Sequence, residues 1–224
     1  MASQKSNPNP SKIVPSLALR DLRKFHARRG CKIGLMGGSF NPPHDGHGTI
    51  ALLALRRLHL DAVWWLVTPQ NPLKPASDYM PLATRVKAAQ QLARKTHPAI
   101  YVTSIEHDLA TRYSIDTIRG LKKIFPRQKF VWLMGGDNLR QMQNWRNWAA
   151  IFKEIPMAVF ARPINTQKSL NAMAAQRFAR NRHRREDRAQ HLVGSIPPKY
   201  VYFHTRLMPI SSTILRQNAG QKPI

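Results

Sequence analysis

Two histidines three residues apart, His44 and His47, close the run Gly37-Gly38-Ser39-Phe40-Asn41-Pro42-Pro43-His44-Asp45-Gly46-His47. If a helix begins by Asp45, that spacing puts both imidazoles on one side of its first turn. Converging there, they could stabilise charge developing on the oxygens of a phosphate under attack. The same residues could simply cap a helix, or supply two ligands to a metal, although no third His, Cys or carboxylate stands at obvious metal spacing. The preceding glycines let a backbone approach a phosphate closely, and a following helix offers unpaired N–H groups at its positive dipole end. The run is neither a Walker loop, since the Gly-Lys-Ser/Thr ending is missing, nor the G-x-G-x-x-G dinucleotide fingerprint.

Other stretches combine hydroxyls and cations. Ile210-Ser211-Ser212-Thr213-Ile214-Leu215-Arg216 places good N-cap residues before a short apolar helix pattern with an arginine in its first turn. It reads either as a second anion site or as an ordinary capped helix with a surface Arg. Thr111-Arg112-Tyr113-Ser114-Ile115-Asp116-Thr117 is suited to capping a helix and equally to binding a phosphate or carboxylate. Asp137 follows a glycine pair, and Trp145 lies eight residues after it; burial in a core is the commonest use of such a tryptophan.

Parallel strands joined by crossover helices must position these residues. From Cys31 onward, short apolar runs alternate with amphipathic stretches, which predicts an α/β fold with a doubly wound, mostly parallel, Rossmann-like sheet. Strands are expected near Lys32–Met36, Ala62–Val67, Ile100–Ile105, Lys129–Met134, Met157–Ala161 and Tyr200–His204. Helices are expected over Gly46–Leu58, Pro81–Lys95, Ser114–Ile124 and Leu139–Phe152. The histidine run then falls between the first strand and the first helix, at the carboxyl ends of the strands, where ligands collect in such sheets. Residues 1–30 read as a flexible leader rich in Ser, Pro and Asn, and 31–220 as one domain with a basic segment at 177–188.

The histidine run closely resembles the G-[GS]-[TS]-F-[DN]-P-x-H-x-G-H signature of the HIGH-motif nucleotidyltransferase superfamily, and within it the bacterial nicotinate-nucleotide adenylyltransferase family. Ile210–Arg216 resembles that superfamily's I-S-S-T-x-x-R motif, so the likeness spans nearly the whole expected domain. The resemblance implies transfer of the adenylyl group of ATP to nicotinate mononucleotide, giving nicotinate adenine dinucleotide and pyrophosphate. It implies that Gly37, Gly38, Ser39, Phe40, His44 and His47 bind the ATP phosphates, with His44 and His47 stabilising the transition state. Ile210, Ser211, Ser212 and Arg216 complete the triphosphate site. On the acceptor side it points to Lys74, in the loop after the second strand, and to Arg85. Arg85 matches the arginine of a D-R-x-x-M pattern, although Thr84 and Ala88 flank it here. Tyr113, Ser114 and Thr117 match a T-x-Y-T-x-D-T segment that binds nicotinate mononucleotide, with Ser114 keeping the hydroxyl of the usual threonine. Asp137 would contact ribose and Trp145 would stack on the nicotinate ring, with Trp148 left to the core. Mg²⁺ would arrive carried by the nucleotide, and no protein metal ligand is implied.

Composition sets the outer bounds. Thirty-six Lys plus Arg against eleven Asp plus Glu give a formal charge of +25, which attracts polyanions without saying which. The basic positions between Arg177 and Arg188 read as a solvated helix face, or as a nucleic-acid surface on an inactive nucleotide fold. Both halves of an ATP site argue against the second reading, since a pure binding module has no use for them. No apolar run reaches the length of a membrane span, no secretory h-region is visible, and the single cysteine, Cys31, excludes an intramolecular disulfide. A cytoplasmic enzyme is the expectation, with oligomeric state unassigned.

Overall fold

The structure, a computed structural model, describes residues 22–69, 80–161 and 166–205. In chain order these form α1 (Lys24–Ala27), β1 (Lys32–Gly38), α2 (Asp45–Arg57), β2 (Ala62–Val67), α3 (Leu82–Thr96), β3 (Ile100–Thr103), α4 (Ile105–Asp108), α5 (Ser114–Ile124) and β4 (Lys129–Gly135). They continue as α6 (Gly136–Gln141), α7 (Trp148–Glu154), β5 (Met157–Phe160), α8 (Thr166–Leu170), α9 (Met173–Arg177), β6 (Arg182–His183) and β7 (Tyr200–Phe203).

The central strands are apolar along most of their length because the sheet is covered on both faces. Every residue of β2 is buried, and the side chains of Trp64 and Trp65 leave it in opposite directions. Trp64 packs edge-on against Phe25 of α1, 5.3 Å between centroids, while Trp65 stacks on Phe40 at 5.2 Å. One face is covered by α1, α5 and α7 through Phe25, Ile118, Leu121 and Phe152; the other by α2 and α3 through Ile50, Ala54, Ala89 and Ala93.

All seven strands are parallel, in the order β3-β2-β1-β4-β5-β7-β6. Strand order reverses between β1 and β4, so a crevice opens beyond their carboxyl ends. Gly37 and Gly38 end β1, and Gly135 ends β4 directly before Gly136 and Asp137.

Three sequence expectations are corrected. Ile105 does not end β3; it opens α4 and is buried beneath it. The helix expected over Leu139–Phe152 is broken. After α6 comes a single 3-10 turn, Met142–Asn144, and Asn147 then adopts a left-handed conformation at φ 51° before α7, a region Asn tolerates better than most residues. The segment 177–188 is not one helix face but the end of α9, a 3-10 turn and the edge strand β6. Residues 22–30, expected within a flexible leader, pack on the fold: Leu22 and Phe25 are buried, and the Gln128 side-chain amide donates to the Phe25 and Arg28 carbonyls. Residues 1–21 lie outside the described residues.

Candidate active site

The turn after β1 approaches the crevice with little between backbone and solvent. A Cβ on Gly37 would lie 2.9 Å from Cη2 of Trp132, a fully buried ring of β4, so only glycine fits beside it. Phe40 turns the chain in a left-handed conformation at φ 47°. That conformation is costly for an aromatic residue and is held here by stacking of the buried ring on Trp65 and by its contact with His47, 4.7 Å between centroids.

His44 is the N-cap of α2 and His47 its third residue. Their rings are 3.9 Å apart, centroid to centroid. The His44 backbone N–H lies 3.1 Å from Nδ1 of His47, so the second ring satisfies a backbone donor at the helix end and is oriented by it. The ring's other nitrogen, Nε2, lies on the far side from that contact. The helix-capping reading is met in this arrangement: the contact with the His44 N–H orients the His47 ring.

Arg85, expected on the acceptor side, lies inside the fold. It is 1% exposed, and its guanidinium donates to four carbonyls. Nε reaches Met80 O at 2.9 Å, Nη1 reaches Ser39 O and Thr68 O, and Nη2 reaches Pro69 O, each at 2.7 Å. Thr68 N–H also donates to Gly38 O. A planar fork of five donors suits this task. Arg85 ties the turn after β1 to the end of β2 and the start of α3.

On the opposite side of the crevice, Tyr113 caps α5 without a side-chain hydrogen bond, and Ser114 opens the helix half-buried. The N–H groups of Ser114 and Ile115 stand at the positive end of an eleven-residue helix. Arg146 lies 4.7 Å above the Tyr113 ring. Its neighbour Trp145 is half-buried, edge-on to Trp132 at 6.5 Å, and Trp148 packs against Phe178. Trp145 follows the 3-10 turn in an extended conformation, φ −82° and ψ 140°, which takes it off any helix face and into the loop that carries Arg146. Asp137, in the first turn of α6, is half-buried at the end of β4. Thr117 differs from the others: it is fully buried, with its hydroxyl 2.9 Å from Thr111 Oγ1 and 3.3 Å from Oε1 of Glu106. Lys74, Ile210, Ser211, Ser212 and Arg216 lie outside the described residues.

Two residues at this site escaped sequence reasoning. Arg146 carried no signal beyond lying next to Trp145. Glu106 fell just past an expected strand, yet it is 6% exposed, and burial pushes its carboxyl up to about 6 against the hydrogen bonds from Thr68 and Thr117. An acid whose folded pKa is raised loses stability as pH rises from the unfolded value, 4.5, through the folded one. Over that window the ionised form costs on the order of 2 kcal/mol. Denaturant unfolding of the wild type and Glu106→Gln at pH 4 and pH 8 should therefore show the variant gaining about that much relative to wild type at the higher pH. An unchanged gap would mean that Glu106 titrates as an exposed carboxyl.

Among the described residues no group of three or more His, Cys, Asp or Glu could hold a metal, and no helix is long and apolar enough to cross a membrane.

Comparison with known proteins places the chain. The cytidylyltransferase-like family model matches residues 35–218. A relative from Bradyrhizobium sp. (strain ORS 278), named "probable nicotinate-nucleotide adenylyltransferase", is 46% identical over 189 residues, covering 84% of this chain and 97% of the relative. A relative of the same name from Ruegeria pomeroyi is 43% identical over 196 residues, covering 87% and 90%. Among solved structures, the Plasmodium falciparum nicotinic acid mononucleotide adenylyltransferase complexed with NaAD superposes with a TM-score of 0.61 at 14% identity, covering 84% of this chain and 83% of that one. The last likeness speaks for the fold.

Proposed function

The chain belongs to the cytidylyltransferase-like family, alongside relatives named nicotinate-nucleotide adenylyltransferase, and we propose that it transfers the adenylyl group of ATP to nicotinate mononucleotide. The observation that carries this reading is the pair His44 and His47, 3.9 Å apart at the N-terminus of α2, beyond the carboxyl end of β1.

The triphosphate lies against Gly37, Gly38 and Ser39, with the α-phosphate at the N-terminus of α2. An oxygen of the acceptor's 5′-phosphate attacks the α-phosphorus in line, the bond from that phosphorus to the bridging oxygen breaks, and pyrophosphate leaves. No covalent enzyme intermediate forms. His44 and His47 donate to the oxygens that gain charge, and the cap that orients His47 removes the need to reorganise it. Ile210, Ser211 and Ser212 complete the triphosphate site, Arg216 holds the β- and γ-phosphates, and Lys74 approaches the phosphates from the acceptor side in the loop after β2; these five assignments rest on motif likeness alone. Mg²⁺ carried by the nucleotide would supply charge neutralisation on the triphosphate and on the leaving pyrophosphate.

The acceptor's anionic groups take the N-terminal N–H groups of α5, with Tyr113 and Ser114 beside them. Asp137 accepts from ribose hydroxyls, and the Trp145 face receives the pyridine ring. Arg146, lying over Tyr113, adds a cation where a ring carboxylate would sit, which favours nicotinate over nicotinamide. Trp145→Ala is expected to raise the KM for the acceptor by about tenfold, within the range of aromatic stacking losses, and to leave the KM for ATP unchanged. Equal rises in both would place Trp145 in the core alone.

The test of the reaction type is the fate of label. ATP labelled at the α-phosphate should give labelled dinucleotide, and ATP labelled at the γ-phosphate should give labelled pyrophosphate; label from the γ-position in the organic product would show phosphoryl transfer instead.

A further inference from the structure

Glu106 sits in a hydroxyl cage that joins the two halves of the crevice. Thr117 Oγ1, in the first turn of α5, lies 3.3 Å from Glu106 Oε1 and 2.9 Å from Thr111 Oγ1, and Thr111 Oγ1 also reaches back toward the Glu106 carbonyl. Thr68, whose hydroxyl also bonds the carboxyl, directly follows β2 and gives its own carbonyl to Arg85 and its N–H to Gly38 O. One carboxylate therefore links the turn that cradles the phosphates to the helix start that meets the acceptor. Resting on the acceptor reading of Tyr113 and Ser114, we propose that ionised Glu106 is a positioning residue that holds the first turn of α5 in register with the phosphate turn.

Only hydroxyls, from Thr68 and Thr117, face the carboxyl among the described residues, and the ionisable neighbours on α4, His107 and Asp108, pair with each other. A buried carboxylate with no cation opposite it costs stability that a neutral side chain would not. A residue needed only for packing could be neutral. The negative charge does something a glutamine cannot: both its oxygens accept, so hydroxyls from two elements are held at once. Protonation turns one acceptor into a donor and releases one side of the cage.

Glu106→Gln mimics the protonated form at every pH. At pH 8 the variant should show an acceptor KM about tenfold above wild type, the size expected for one charge-assisted hydrogen bond, with the KM for ATP unchanged. At pH 5 the two proteins should converge. The acceptor's own phosphate titrates near 6, so the quantity to read is the ratio of variant to wild type at each pH, in which that titration cancels. Backbone amide exchange of Ile115, Asp116 and Thr117 gives a readout that needs no substrate: at pH 8 these amides should exchange faster in the variant, and at pH 5 equally. A KM ratio that stays flat from pH 5 to pH 8, or equal exchange at pH 8, overturns the positioning role. If the wild type turns over no nicotinate acceptor while the exchange difference holds, the reaction assignment fails and the positioning role stands.

Discussion

His47→Ala is expected to lower kcat by about 10²–10³-fold, the usual loss when one preorganised donor to developing charge is removed, while the protein stays folded. Its ring does two things. Nδ1 receives the His44 N–H at the start of α2, and the proposed mechanism assigns the other ring nitrogen to the phosphate under attack. Losing the first contact costs about 1 kcal/mol, as for other N-terminal caps, which lowers the melting temperature by roughly 2–4 °C in a chain of this size. Losing the second removes charge stabilisation in the transition state. The two effects separate in measurement: a thermal melt reports the cap, and pyrophosphate release at saturating substrates reports the chemistry. A folded variant with wild-type turnover would take His47 out of the mechanism.

Arg85→Met should be the most destabilising single change at the site. It leaves the carbonyls of Ser39, Thr68, Pro69 and Met80 without the guanidinium that serves them. At about 1 kcal/mol or more for each buried acceptor left unpaired, a loss of about 4 kcal/mol is expected by urea unfolding, together with loss of turnover as the turn after β1 loosens. Arg85→Lys should recover only part, because an ammonium cannot point donors in four planar directions. The same experiment decides how Arg85 acts. A variant of unchanged stability that loses only acceptor affinity would show direct contact with substrate; loss of stability and of ATP binding together shows a brace.

These two residues also mark what could and could not be read from the sequence. His44 and His47 were legible because their relation is local: three residues of helix set their geometry, and the glycines and prolines before them announce a turn. The buried strands were legible for a similar reason. Ala62–Val67 is an unbroken apolar run because both its faces are covered, and its limits stand where the hydropathy changes. Arg85 was assigned by motif to the acceptor, but its partners come from positions 39, 68, 69 and 80, which only the fold brings together. Glu106 was invisible because nothing in a sequence separates a buried Glu from a solvated one at the end of a strand. The hydropathy of Leu139–Phe152 read as one helix, but α6 ends at Gln141, and a 3-10 turn, an extended Trp145 and a left-handed Asn147 precede α7. In that break Arg146 comes to lie over Tyr113. Thr117 was picked for its hydroxyl, and the hydroxyl points into the core toward Glu106.

The most direct measurement is pyrophosphate release from ATP and Mg²⁺ with nicotinate mononucleotide as acceptor, beside nicotinamide mononucleotide and phosphopantetheine, with His47→Ala as control. The expected result is release with the nicotinate acceptor at a kcat/KM at least tenfold above either alternative, a preference of the size one well-placed cation beside the ring carboxylate supplies, and its loss in the variant. Release that is as fast with another acceptor would contradict the assignment of Tyr113, Trp145 and Arg146, and no release with any acceptor would contradict adenylyl transfer itself.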